Sequence, residues 1–120
     1  MTKGISILSR GNATVADIAD RPIESVHLAP GSVLERDRTL LAQDFASSRF
    51  GIWACPAYTD SYRDYPYNEL MILMSGRVEI EDLEGAVVTF VPGDAFIMHK
   101  GFAGTWRQLE PMVKYYLIYS

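Results

Sequence analysis

Glu69-Leu70-Met71-Ile72-Leu73-Met74-Ser75-Gly76-Arg77-Val78-Glu79-Ile80-Glu81, continued by Glu84-Gly85 and by Thr89-Phe90-Val91-Pro92-Gly93-Asp94-Ala95-Phe96, decides how this chain folds. Ser75-Gly76, Glu84-Gly85, Pro92-Gly93-Asp94 and, further on, Lys100-Gly101 are turn signals at short, even spacing. The pieces between them, such as Arg77 to Glu81 and Ala95 to Met98, are too short for ordinary helices of about 10 residues, and even punctuation of this kind indicates a β-sandwich or barrel. Pro92-Gly93 specifies a type II turn, because proline presets φ at the second position and glycine supplies the positive φ at the third.

Working outward from this stretch, strands are expected at Arg38 to Gln43, Phe50 to Cys55, Tyr58 to Arg63, Glu69 to Met74, Arg77 to Glu81, Ala86 to Phe90, Ala95 to Met98, Gly104 to Leu109 and Val113 to Tyr119. The last carries aromatic and β-branched residues on both faces, so both faces need cover, one of them from a second subunit. The opening residues are irregular. A helical turn is expected at Val15 to Ala19, after which Arg21-Pro22 and Ala29-Pro30-Gly31 break the chain. Residues 1–37 read as an arm packing on the barrel or on a partner subunit, and residues 38–120 as the barrel itself. No repeat or low-complexity linker divides them.

With 120 residues, 48% of them apolar and 22% charged, the chain suits one domain with one core. A formal charge of −4 and a pI near 5.0 argue against nucleic acid or an anionic membrane as partner. The longest apolar run, Leu70 to Met74, is far short of a bilayer span. Ile5 to Leu8 is too short for the apolar region of a signal peptide, so a cytoplasmic protein is expected. Cys55 is the single cysteine. It excludes an intrachain disulfide and thiol zinc sites, and its place after Ile52 to Ala54 reads as a small buried hydrophobe.

Gly51-Ile52-Trp53-Ala54-Cys55-Pro56, Tyr67-Asn68-Glu69, Ser75-Gly76-Arg77-Val78, Pro92-Gly93-Asp94-Ala95-Phe96 and Gly101-Phe102-Ala103-Gly104-Thr105-Trp106 together resemble the ureidoglycine aminohydrolase-type cupins, over roughly residues 38 to 119. The resemblance implies an all-β, single-domain, RmlC-like cupin jelly-roll barrel with an irregular N-terminal arm, commonly a homodimer. In the general cupin pattern one motif supplies two histidines and a glutamate followed by glycine, and a second supplies another histidine. Glu69 and Gly76 match the first motif. The histidine positions fall on Arg63 and Tyr65, and on or beside Gly104, where no imidazole stands. Transition metals need about three or four converging ligands, so neither a metal nor another cofactor is expected.

Strand alternation puts Glu69 on one face with Met71 and Leu73, pointing into the barrel, where a carboxylate needs a partner. Arg63, Tyr65 and Lys114 are the candidates. Lys114 shares a face with Tyr116 and Ile118, and pattern alone leaves its direction open between barrel and surface. Trp53, Tyr58, Tyr67, Phe96 and Trp106 are core aromatics or the wall of a small cavity. His27 and His99 read as surface or hydrogen-bonded histidines, His99 keeping the larger functional share because it borders the turn into the last motif. The leading functional expectation is metal-independent binding of an unidentified small polar metabolite at the barrel mouth around Glu69. The ligand-binding candidates are Trp53, Tyr58, Arg63, Tyr65, Tyr67, Glu69, His99, Trp106 and Lys114. The alternatives are a small enzyme with Glu69 as general acid or base, and a structural or regulatory dimer without ligand.

Overall fold

The computed structural model describes Val15 and residues 18–25, 27–43 and 48–119. Ten strands follow in order: β1 Arg21–Pro22, β2 Leu34–Gln43, β3 Ser48–Cys55, β4 Tyr58–Tyr62, β5 Asn68–Ser75, β6 Val78–Asp82, β7 Val87–Phe90, β8 Ala95–Met98, β9 Gly104–Gln108 and β10 Met112–Tyr119. All pairings are antiparallel. One sheet runs β1-β2-β3-β10-β5-β8 and the other β4-β9-β6-β7, and together they form a jelly-roll barrel around one core. Among the described residues no helix is long and apolar enough to cross a membrane.

The turn chemistry works as its residues dictate. Gly93 takes φ +93°, and Asp94 N–H donates to Val91 O at 3.0 Å, closing the type II turn between β7 and β8. Gly76 takes φ +91° after β5, and a Cβ there would stand 2.6 Å from Pro111 O. The expected strands all form, with ends moved by up to two residues except at β2, which begins at Leu34, four residues before the expected start. β1 was not expected, since Arg21-Pro22 reads as a break in the chain; Pro22, which lacks an N–H, is accommodated in a two-residue outer strand that pairs Arg21 with Glu35. The helical turn expected at Val15 to Ala19 lies partly outside the described residues; Ile18 N–H does donate to Val15 O at 2.9 Å.

Alternation assigns the faces. On the inner face of the larger sheet, register aligns Trp53, Lys114 and Leu73 in one row, Gly51, Tyr116, Met71 and Phe96 in the next, and Arg49, Ile118, Glu69 and Met98 in a third. Trp106 and Val78 come from the smaller sheet, and with Trp53, Met71, Leu73 and Met112 they make the buried center. The three rows climb from a packed apolar floor to a polar rim.

Candidate functional site

Glu69 and Lys114 meet on the inner face, with side chains only 6% and 8% exposed. The row partner of Lys114 on β5 is Leu73, so the long lysine chain runs past Met71 toward Glu69. Lys114 Nζ donates to Glu69 Oε2 at 2.9 Å and to Met71 Sδ at 3.4 Å. The ammonium also faces two indoles, 4.5 Å from the Trp53 ring center and 5.2 Å from that of Trp106. The other Glu69 oxygen accepts from Tyr65 O–H at 2.6 Å. The charge on Glu69 is thus matched by one cation and one phenol, as a buried carboxylate requires.

Around this pair lies a partly open cavity of about 270 Å³. Trp53, Tyr58, Tyr62, Tyr65 and Trp106 wall it, and Tyr67, 41% exposed, stands at the rim. Tyr62 and Tyr65 pack edge to face with ring centers 4.9 Å apart. Burial, reinforced by the nearby Glu69 carboxylate, pushes the Tyr65 phenol far above its ordinary value; burial does the same for Tyr58 and Tyr62. These groups are neutral hydrogen-bonding phenols at physiological pH.

A second polar wall comes from β1 and β2. The alternation Glu35-Arg36-Asp37-Arg38 sends Glu35 and Asp37 inward. Arg21 reaches both, at 2.8 Å from Glu35 Oε1 and 3.0 Å from Asp37 Oδ2. Trp53 Nε1–H donates to Glu35 at 3.2 Å, and Tyr116 O–H donates to Asp37. Tyr116 can do so because it lies across Gly51, where a Cβ would be 2.4 Å from its ring.

Of the sequence candidates, Trp53, Tyr58, Tyr65, Tyr67, Glu69, Trp106 and Lys114 line this one cavity. Lys114 points inward, which the pattern left open. Arg63 and His99 are exposed and do not line it, because each follows a residue that faces the cavity, Tyr62 at the end of β4 and Met98 at the end of β8, and the next side chain turns outward. His27 is exposed too, its backbone N–H donating to Ser25 Oγ. Phe96 stacks on Phe90 at 3.8 Å, away from the cavity. The sequence reading passed over Arg21, Glu35, Asp37, Arg49, Tyr62 and Tyr116. The period-two acid-base alternation in residues 35–38 was the signal for two of them.

The residues do not fit a cupin metal. Both Glu69 oxygens are engaged, one by an ammonium that a divalent ion would have to displace, and among the described residues no group of three or more His, Cys, Asp or Glu converges on a point. Cys55 lies at the other end of the barrel, buried, with its thiol pushed up to about 12 by burial and by the charge of Glu35. It neighbors a larger hollow of about 780 Å³, lined mainly by apolar groups such as Val33, Leu34 and Met112 together with the Asp20–Arg36 ion pair, which closes on itself at 2.7 Å.

Comparison with known proteins agrees with this architecture. Solved structures similar to it include the Clostridium difficile EutQ protein, at 17% identity with a TM-score of 0.61, covering 73% of this chain and 69% of that one. A Salmonella typhimurium putative ethanolamine utilization protein Q aligns at 15% identity and TM-score 0.59, over 89% of this chain and 98% of that one. A Pseudomonas syringae pv. tomato protein of the DUF861 family aligns at 22% identity and TM-score 0.69, over 95% of this chain but 45% of its own length. At these identities the likeness is one of fold. No curated protein matches the sequence. The EutQ-like cupin domain pattern matches residues 42–116, more than half of the sequence and nearly all of the barrel. This chain belongs to the EutQ-like cupin domain family.

Proposed function

We propose that the barrel mouth binds a small polar metabolite without a metal ion, and that recognition depends on Glu69 as fixed by Lys114 and Tyr65. The observation that carries this reading is the cavity of about 270 Å³ with a buried ion pair in its wall. Small-molecule sites are concave, aromatic-walled hollows with a few convergent polar groups. A barrel interior that served only packing would be filled more cheaply by apolar side chains than by a desolvated ion pair.

An enzymatic reading, in which Glu69 exchanges a proton with substrate as its resemblance to the ureidoglycine aminohydrolase-type cupins suggests, is favored by the 2.6 Å contact with Tyr65, which could relay that proton. Binding is preferred because both carboxylate oxygens are already engaged within the wall. The metabolite site belongs, in this proposal, to a cytoplasmic homodimer with no nucleic-acid or membrane partner. Its support is the acidic composition and an apolar row, Leu41, Phe50, Leu117, Leu70 and Ile97, that crosses the outer face of the larger sheet. Light scattering should give twice the 13.5 kDa chain mass; a monomer across a wide concentration range would remove the dimer from the account.

The direct test is a thermal-shift screen of small acids, amines and ureides, followed by calorimetry on wild type and Glu69→Gln at a temperature where both are folded. Loss of the charge-assisted contact should weaken a hit by roughly ten- to a hundredfold. Unchanged affinity in folded Glu69→Gln would leave Glu69 a wall residue only.

A further inference from the structure

Arg49 Nε is a buried side-chain nitrogen without a hydrogen-bond partner, on a guanidinium that lines the cavity. Such orphaned donors are rare in native interiors, and a charged one is costly to leave unpaired. Arg49 stands in the rim row with Ile118 and Glu69, and its guanidinium carbon lies 5.8 Å from the center of the Tyr116 ring. The hydroxyl of that ring donates to Asp37, and it makes no hydrogen bond with Arg49 Nε.

The other charges of the cavity wall are matched within it: Lys114 to Glu69, and Arg21 to both Glu35 and Asp37. Among the described residues that line it, Glu24, exposed at the rim, adds the one further charge. We infer that Arg49 is the anion-reading residue of the site and that the ligand is a small monocarboxylate, its carboxylate received by the Arg49 guanidinium and its flat, uncharged body lying against the tyrosine and tryptophan wall. A guanidinium presents parallel N–H groups that match a carboxylate edge to edge. The carboxylates already on the wall outnumber its cations, so a dianion such as phosphate is repelled where one negative charge on Arg49 is tolerated. The cavity volume holds a ligand below ordinary drug size.

This inference rests on the binding-site reading, and its test separates the two. The full chain, labeled with ¹⁵N-arginine, is titrated with benzoate, with benzamide of the same shape, and with inorganic phosphate, while the Arg49 Nε–H signal is followed by NMR. Benzoate should shift that signal downfield and bind roughly tenfold or more tightly than benzamide. The preference should vanish in Arg49→Gln and weaken in Arg49→Lys, which keeps the charge but loses the fork, both variants melting as wild type does.

Equal binding of benzoate and benzamide, or a preference that survives in Arg49→Gln, would overturn the anion assignment while leaving a neutral-ligand site standing. A phosphate response stronger than that of benzoate would overturn the monocarboxylate class. No response of any cavity signal to any of the three probes would count against both the inference and the site.

Discussion

Tyr116 on β10 crosses over Gly51 on β3 to donate its phenol hydrogen to Asp37 on β2, so one missing Cβ ties three strands together at the cavity wall. In Gly51→Ala the new methyl would fall 2.4 Å from the Tyr116 ring and 2.6 Å from the backbone oxygen of Arg38. One of these obstacles is main chain, so the strain cannot be relieved by a rotamer change alone. Gly51→Ala should cost about 1 to 3 kcal/mol in urea unfolding, the usual range for overpacking. A variant as stable as wild type would show that the ring does not lie where the account needs it.

The Glu69–Lys114 pair predicts non-additive energetics. Glu69→Leu or Lys114→Met alone strands a buried charge and should destabilize by about 3 to 5 kcal/mol, whereas the double variant should recover most of the loss. Urea unfolding of the four proteins measures the coupling. Losses that simply add would mean the two groups are not paired.

Tyr58, Tyr62, Tyr65 and Tyr116 all have phenols raised above the ordinary value of 10, burial being the first cause in each. For a group whose folded value lies above its unfolded one, the stability it contributes is complete below the unfolded value and drains away as pH rises beyond it. The fold should therefore lose stability steadily above about pH 10, the phenols ionizing together with unfolding. Tyrosine labeled with ¹³C at Cζ reports this by NMR. A Tyr65 signal that turned to phenolate near pH 10 in the folded chain would contradict its buried contact with Glu69.

Local chemistry made most of the fold legible. Gly76, Gly93 and the proline beside Gly93 specify their turns through φ alone, and the segments between them admit only strands, so β3 to β10 fall close to where the sequence puts them. Glu69 was legible for the same reason, since alternation with Met71 and Leu73 fixes its side. Lys114 was not, because β10 is apolar on both faces and a period of two carries no sign there.

What stayed hidden depends on partners distant in sequence. Arg21 reaches the site only because β1 pairs with the start of β2, and starting that strand at Arg38 cut off Glu35 and Asp37 just where their alternation with Arg36 and Arg38 would have shown them. Arg63 was placed by a motif's spacing, but it follows Tyr62, which faces the cavity, so its own side chain turns outward. His99 fails the same way beyond β8. Arg49 gave no signal at all: its meaning lies in a missing hydrogen bond, visible only once every neighbor is in place.

The most direct test of the central claim, a metal-free binding site in the barrel mouth, uses two methionines that line the cavity, Met71 and Met98, with exposed Met74 as the outside reference. Protein dialyzed against a chelator and labeled with ¹³C at the methionine methyls is titrated with small acids, amines and ureides. The account predicts that at least one class moves the Met71 and Met98 signals together, leaves Met74 in place, and does so without added metal. Cavity signals that respond to none of these classes, or only after zinc, manganese, nickel or iron is supplied, would contradict it.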